Sequence, residues 1–156
     1  EQCDLRGIVH GMPHDETAYI HAMHGLKIAC AGIFSTVPDM VAFGNHVVNY
    51  AYKNKASAKT LKLIMTNYLA HCGRTFGLGF DFPDPTYLCP CFARSTLVMT
   101  GFTGCNIFIQ PKYGKIFVML SNATFPTRGP RGQKSPLGPL RKELAAQAFY
   151  CKHCME

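Results

Sequence analysis

The sequence predicts an α+β protein in which two helices precede an antiparallel sheet and a C-terminal helix packs on that sheet. Three observations carry this expectation. Apolar residues recur at helical spacing between Ser35 and Gly73, the period falls to two between Phe76 and Ser121, and an amphipathic helical pattern returns from Leu140. With 47% hydrophobic residues and only 16% charged ones, the chain carries enough apolar surface for one core and no long polar tract that would keep it unfolded. Residues 1–156 are therefore expected to form a single domain, and the missing motifs described below make it a partial one.

Residues 1–34 contain Gly7, Gly11, Pro13, Gly25 and Gly32 without sustained periodicity, so they are expected to be irregular, with at most short helical turns. Ser35-Thr36-Val37-Pro38-Asp39 is a helix start. A hydroxyl can cap free amides, proline suits the first turn, and the carboxylate suits the positive end of the dipole. Met40, Val41, Phe43, Val47, Val48 and Tyr50 then follow at helical spacing, and the helix is expected to fade near Lys53-Asn54. Ser57 is expected to cap a second helix with Leu61, Ile64, Met65, Tyr68 and Leu69 on one face, ended by Gly73. Four strands are expected next, at Phe76–Phe80, Thr96–Thr100, Cys105–Gln110 and Lys115–Ser121. Pro111-Lys112-Tyr113-Gly114 joins the last two as an antiparallel hairpin. Arg128–Gly138 reads as a basic loop. The final helix, Leu140–Tyr150, is expected to turn Leu140, Leu144, Ala148 and Phe149 to the core.

Sixteen basic residues against nine acidic ones give a net charge of +7, with much of the excess late in the chain, at Lys112, Lys115, Arg128, Arg131, Lys134, Arg141, Lys142 and Lys152. A solvated loop and helix face accounts for this pattern. The aromatics are not interleaved with the basic residues as single-strand stacking platforms require, so nucleic acid is not an expected partner. No apolar run approaches the ~18 residues that a membrane span needs. Among eight cysteines, Cys89 and Cys91 form C-x-C, and Cys151 and Cys154 form C-x-x-C around His153. These pairs lie about sixty residues apart, which does not suit a compact zinc site, so no metal and no cofactor is expected. With no leader sequence in view, reduced thiols in the cytoplasm are the simpler expectation, and the chain also reads as processed or as a piece of something longer.

Several short runs resemble a known family. His14-Asp15-Glu16-Thr17-Ala18 is followed by Ala31-Gly32-Ile33-Phe34-Ser35-Thr36-Val37-Pro38-Asp39-Met40. Later come Met99-Thr100-Gly101-Phe102-Thr103-Gly104, then Phe108-Ile109-Gln110-Pro111, Val118-Met119-Leu120-Ser121-Asn122 and Phe125-Pro126-Thr127-Arg128. In this order they resemble the C-terminal half of the β-lactamase-related serine hydrolases, a family that includes class C β-lactamases, D-alanyl-D-alanine peptidases and esterases. That family shows "VHDENA", "GHAGLFSTADDL", "HTGFTG" and "LLTNR.HP" runs. The resemblance spans about Gly7 to Ala148.

The resemblance implies acyl transfer on an ester, amide or lactam. In the family a serine in S-x-x-K attacks the acyl carbon, and an H-T-G or K-T-G strand forms one wall of the site. Carried over by position, Thr100, Gly101 and the main-chain N–H of Phe102 would act in catalysis, the last as an oxyanion donor. Met99, Thr103 and Gly104 would line the substrate, and a small acyl compound is the implied ligand. Three departures oppose activity in this chain alone. Met99 stands where the family has Lys or His, Cys30 stands where it has His, and no serine has a lysine three residues on. Tyr52-Lys53-Asn54 matches Y-x-N but lies at a helix end and out of family order, so it reads as coincidence.

The chain is thus expected to be a truncated or impaired hydrolase, with a non-enzymatic basic binding module bearing a vestigial site as the alternative. Because the family completes its sheet with N-terminal strands, Lys115–Ser121 is expected to be an apolar edge that takes an upstream half or a second copy of the chain. His10, His14, His21 and His24 cluster without a helix to align them for metal. Asp15 and Glu16, being adjacent, do not face one point. Cys30 and Cys105 are expected to be inert thiols rather than nucleophiles.

Overall fold

The structure, a computed structural model, describes residues 2–3, 6–52, 55–82, 96–129 and 137–149. The expectations for Lys53-Asn54, for the middle of the basic loop, for Tyr150 and for Cys89, Cys91, Cys151, His153 and Cys154 lie outside the described residues. The architecture is mixed α+β. Two short strands, β1 (Gln2–Cys3) and β2 (Gly7–Ile8), pair antiparallel at the start. Helix α1 (Glu16–Met23) follows, where an irregular segment was expected. Its start is fixed by Asp15, whose carboxylate accepts from the Ala18 N–H at 2.8 Å, and by Arg6, whose guanidinium lies 4.7 Å from the Tyr19 ring centroid.

Helices α2 (Val37–Tyr52) and α3 (Lys55–Ile64) match the two expected helices. Thr36 caps α2, its Oγ1 accepting from the Asp39 N–H at 3.3 Å and donating to the Asp39 carboxylate at 2.8 Å. Ser57 is not the cap of α3. That helix begins earlier, and Ser57 is buried within its first turns. Tyr68 and Leu69 lie beyond its end.

Phe76–Phe80 is a tight turn rather than a strand. The Gly77 N–H donates to the Phe80 carbonyl at 2.9 Å, bringing Asp81 back beside Phe76. The two glycines that mimic a period of two in the sequence are what let the chain fold back. Strands β3 (Leu97–Thr100), β4 (Asn106–Gln110) and β5 (Lys115–Met119) form an antiparallel sheet in the order β3-β4-β5, in register Val98↔Phe108 and Phe108↔Phe117. The expected hairpin at Pro111–Gly114 is present, closed by Gly114 at φ 61°.

The sheet is covered on both faces, as pleat alternation requires. Leu97, Ile107 and Ile109 face Met40, Val47, Val48, Ile64 and Met65 of the α2–α3 layer. Val98 and Phe108 face Ala145, Ala146 and Phe149 of α4 (Gly138–Phe149). Phe108, fully buried, is the centre of the second layer, and its burial contributes about 1.5–3 kcal/mol.

The face of α4 differs from expectation. Arg141, Ala145, Ala146 and Phe149 are buried, whereas Leu140, Leu144 and Ala148 are exposed. The two alanines let the helix axis approach Phe108 and Phe117 closely, which leucine at those positions would prevent. Lys115 Nζ fastens the end of the helix by donating to the Phe149 carbonyl at 3.1 Å. Among the described residues β5 has a partner on one side only, as the edge expectation required. No described helix is long and apolar enough to cross a membrane.

Candidate functional site

The residues singled out in the sequence lie together at one end of the sheet. Met99 and Thr100 end β3, and Gly101–Gly104 turn the chain into β4. The Gly101 N–H donates to the Cys105 carbonyl at 2.7 Å, and the Gly104 N–H donates to the Gly101 carbonyl at 3.0 Å. The first bond fixes Gly101 and Cys105 as a hydrogen-bonded pair. By antiparallel alternation, Met99 and Leu97 also direct their main-chain groups toward β4, while those of Val98 and Thr100 point away from it. Asp81 confirms the parity: it takes both outward groups of Val98, at 2.7 and 2.9 Å. Thr100 offers the next outward N–H and C=O, and neither they nor the Phe102 N–H has a partner among the described residues.

Thr100, Gly101 and Phe102 are exposed, and Met99 is 43% exposed. Thr103 belongs to the scaffold. Its carbonyl accepts from the Ala123 N–H and from Ser121 Oγ, both at 2.8 Å. Gly104 is buried at φ 91°, with Ser121, Leu137 and Ala123 packed where a side chain would stand, so it lies under the turn rather than on its open side. Cys105 is held by main chain, its Sγ donating to the Ser121 carbonyl at 3.2 Å and accepting from the Ser121 N–H at 3.3 Å. No base is among these partners. Asn106, opposite Thr100 in register, donates from Nδ2 to the Gly104 carbonyl at 3.3 Å, while its buried Oδ1 has no partner among the described residues.

Two distant segments close on the Phe102 turn. The His14 ring lies 6.4 Å from the Phe102 ring, and Arg128 sits 5.0 Å above the Phe102 centroid. Arg128 donates to Glu16 at 2.8 Å and to the His14 carbonyl at 3.3 Å, and His14 Nδ1 shares a 3.1 Å hydrogen bond with Thr124. Arg6 supports the same loop by donating to the Pro13 and His14 carbonyls at 3.0 and 3.1 Å. A hydrogen bond from its own main-chain N–H, with Arg128 and Arg6 nearby, holds the Glu16 carboxyl below its ordinary value of 4.5 despite slight desolvation.

Asp15 is used as a helix cap and Glu16 as an ion-pair partner, so the two do not form an acid–base pair. The four N-terminal histidines are not gathered into a metal-binding group among the described residues. Among the described residues Cys30, Cys72 and Cys105 are free thiols. The convergence of Arg128, Thr124 and His14 was not read from the sequence, because its partners lie more than a hundred residues apart. No protein-family model, curated protein or solved structure matches the chain.

Proposed function

We propose that this chain is the C-terminal part of a β-lactamase-related serine hydrolase fold. In this proposal Thr100, Gly101 and Phe102 form one wall of an acyl-transfer site whose serine comes from another polypeptide segment. The supporting observation is the open outer edge of β3 at Thr100, with the His14–Glu16 run and the Thr124–Arg128 loop both folded onto the Phe102 turn. Each of these three stretches carries part of the sequence resemblance, and nothing in their spacing along the chain requires them to meet.

In a completed site the serine oxygen adds to the acyl carbon of an ester, amide or lactam. The charge that develops on the carbonyl oxygen is met by the Phe102 N–H, together with a second N–H from the nucleophile's segment. The leaving group departs with a proton, and water then cleaves the acyl-serine bond. The outward N–H and C=O of Thr100 are placed to hydrogen-bond polar groups that flank the acyl carbon of the substrate. Without the serine this chain binds and does not turn over.

Met99 supports a second reading, a non-enzymatic binding module. Its exposed thioether cannot hold a substrate carboxylate as Lys or His would. Saturable binding without turnover, even when an upstream half is supplied, would favour that reading.

The test is intact-mass analysis after treatment with a fluorophosphonate and with a fluorescent penicillin, alongside amide NMR of the chain titrated with the penicillin. The expected outcome is no covalent adduct, with shifts concentrated at Thr100, Gly101 and Phe102. An adduct would place a nucleophile within these residues and end the missing-serine proposal. Shifts that spare this strand end would remove the proposed wall.

A further inference from the structure

The opposite edge of the sheet has an unfilled requirement of a different kind. The parity fixed at Gly101 and Cys105 extends across β4: because Ile107 and Ile109 are turned toward β3, Asn106, Phe108 and Gln110 are turned toward β5. Their partners are Met119, Phe117 and Lys115. The main-chain N–H and C=O groups of Ile116 and Val118 therefore point out of the sheet, and no described residue hydrogen-bonds to them.

Sheet proteins usually protect such an edge with an outward charge, a proline or a bulge. Here Ile116, Phe117, Val118 and Met119 are all apolar, and the single charge in the strand, on Lys115, is drawn away to the Phe149 carbonyl at 3.1 Å. We infer that β5 pairs with β5 of a second copy of this chain, antiparallel about a two-fold axis at Phe117. The inference uses neither Thr100 nor Phe102 and concerns this chain alone, because the N-terminal strands of the acyl-transfer proposal would take the same edge and displace the second copy.

The register follows from the strand itself. Centring on Phe117 sets Ile116 opposite Val118 of the second copy, and Val118 opposite its Ile116. Each of these two pairs exchanges both of its hydrogen bonds, so all eight outward groups of the two copies are satisfied. Every cross-strand pair is apolar except Lys115 with Met119, and no lysine meets a lysine. A one-residue slip would turn paired groups away from one another and leave the outward ones unsatisfied. The axis is perpendicular to the sheet, so both copies of α2 lie on the same face. There α2 already sits tightly on β5 through Gly44, which packs against Ile116, and Phe43 and Tyr50 are left exposed on it. A net charge of +7 on each copy opposes association, so added salt strengthens the dimer.

The test is light scattering of the full chain across a concentration series, with I116P and V118P. Their N–H groups point outward, so these prolines leave the internal ladder intact. The expected result is a dimer for the parent chain and, for each proline variant, a monomer that keeps the parent's circular-dichroism spectrum. Each variant melts lower than the parent, because Ile116 and Val118 also pack on Leu97, Ile107 and Ile109. F117C gives an independent reading, because facing non-hydrogen-bonded residues lie about 4.5 Å apart, within disulfide reach. Mild oxidation should cross-link the two copies through the introduced thiols, with the linked peptides identified by mapping against the parent. A monomeric parent, dimers that survive both prolines, or absence of that cross-link in a dimer would each overturn the inference.

Discussion

Replacing Gly104 with alanine tests whether the Met99–Gly104 turn is held from beneath as the structure has it. Gly104 is at φ 91°, a conformation that costs an L-residue roughly 1–2 kcal/mol. A Cβ there would collide with Ser121 Oγ and come within 2.7 Å of Leu137 Cδ1 and 3.2 Å of Ala123 Cβ. Overpacking of that kind costs about 1–3 kcal/mol. Displacing Ser121 also strains its hydrogen bond to the Thr103 carbonyl, worth about 0.5–1.5 kcal/mol. G104A is therefore expected to lose about 3–5 kcal/mol in urea denaturation, a Tm lower by roughly 6–20 °C. The collision with Ser121 is checked by a double-mutant cycle. In an S121A background, G104A should cost about 1 kcal/mol less than in the parent. A loss below about 1 kcal/mol for G104A, or additive behaviour in the cycle, would refute this account of the turn.

Other measurements probe the rest of the fold. F108A, at the centre of the layer beneath α4, should cost about 3–5 kcal/mol by denaturant titration, whereas L144S on the exposed side of that helix should stay within about 0.5 kcal/mol of the parent. Glu16, 62% exposed in its ion pair with Arg128, supplies at most about 1 kcal/mol. Its carboxyl is depressed, so this contribution is present above 4.5 and is lost as the pH falls through the lower folded value. The Tm difference between the parent and E16Q should therefore shrink to nothing in acid, and also at high salt. A difference that persists in acid would mean that Glu16 acts through packing rather than charge.

The elements legible in the sequence are those whose signals are local. The Thr36–Asp39 cap and the Pro111–Gly114 hairpin each place their decisive residues within four positions of one another. The expectations that differ from the structure fail where tertiary contact outweighs local pattern. Helix α1 is short and framed by glycine and proline, and it is secured by Asp15 and by Arg6 from outside its own span. In α4, leucine side chains signal a core face by hydropathy, but packing on Phe108 and Phe117 selects the smaller Ala145 and Ala146. The candidate site divides the same way. Thr100, Gly101 and Phe102 are contiguous and were legible. The Arg128 contact over Phe102 depends on the folding together of segments with no common periodicity.

The proposed partial nature of the fold accounts for two features that would otherwise need separate causes. One is a strand end with outward hydrogen-bonding groups and no serine nearby that carries the expected lysine. The other is the segment from α1 into α2, where Gly32 packs against Pro13 and Ala18 while the neighbouring Ile33 and Phe34 are 85% and 66% exposed. Ile20, Met23, Leu26 and Val37 are exposed in the same stretch. Large apolar side chains left exposed along one stretch of chain are costly in water when they gather into a patch, and such patches mark surface that another element covers. This stretch also carries part of the family resemblance, and it follows directly on the His14–Glu16 run that closes on Phe102. In the proposed fold, an upstream half is expected both to cover Ile33 and Phe34 and to bring a serine to Thr100. Hydrogen exchange can separate this from coincidence: an upstream half that restores acylation must also slow exchange across residues 31–37. Restored acylation with unchanged exchange there would mean that the apolar segment serves some other contact.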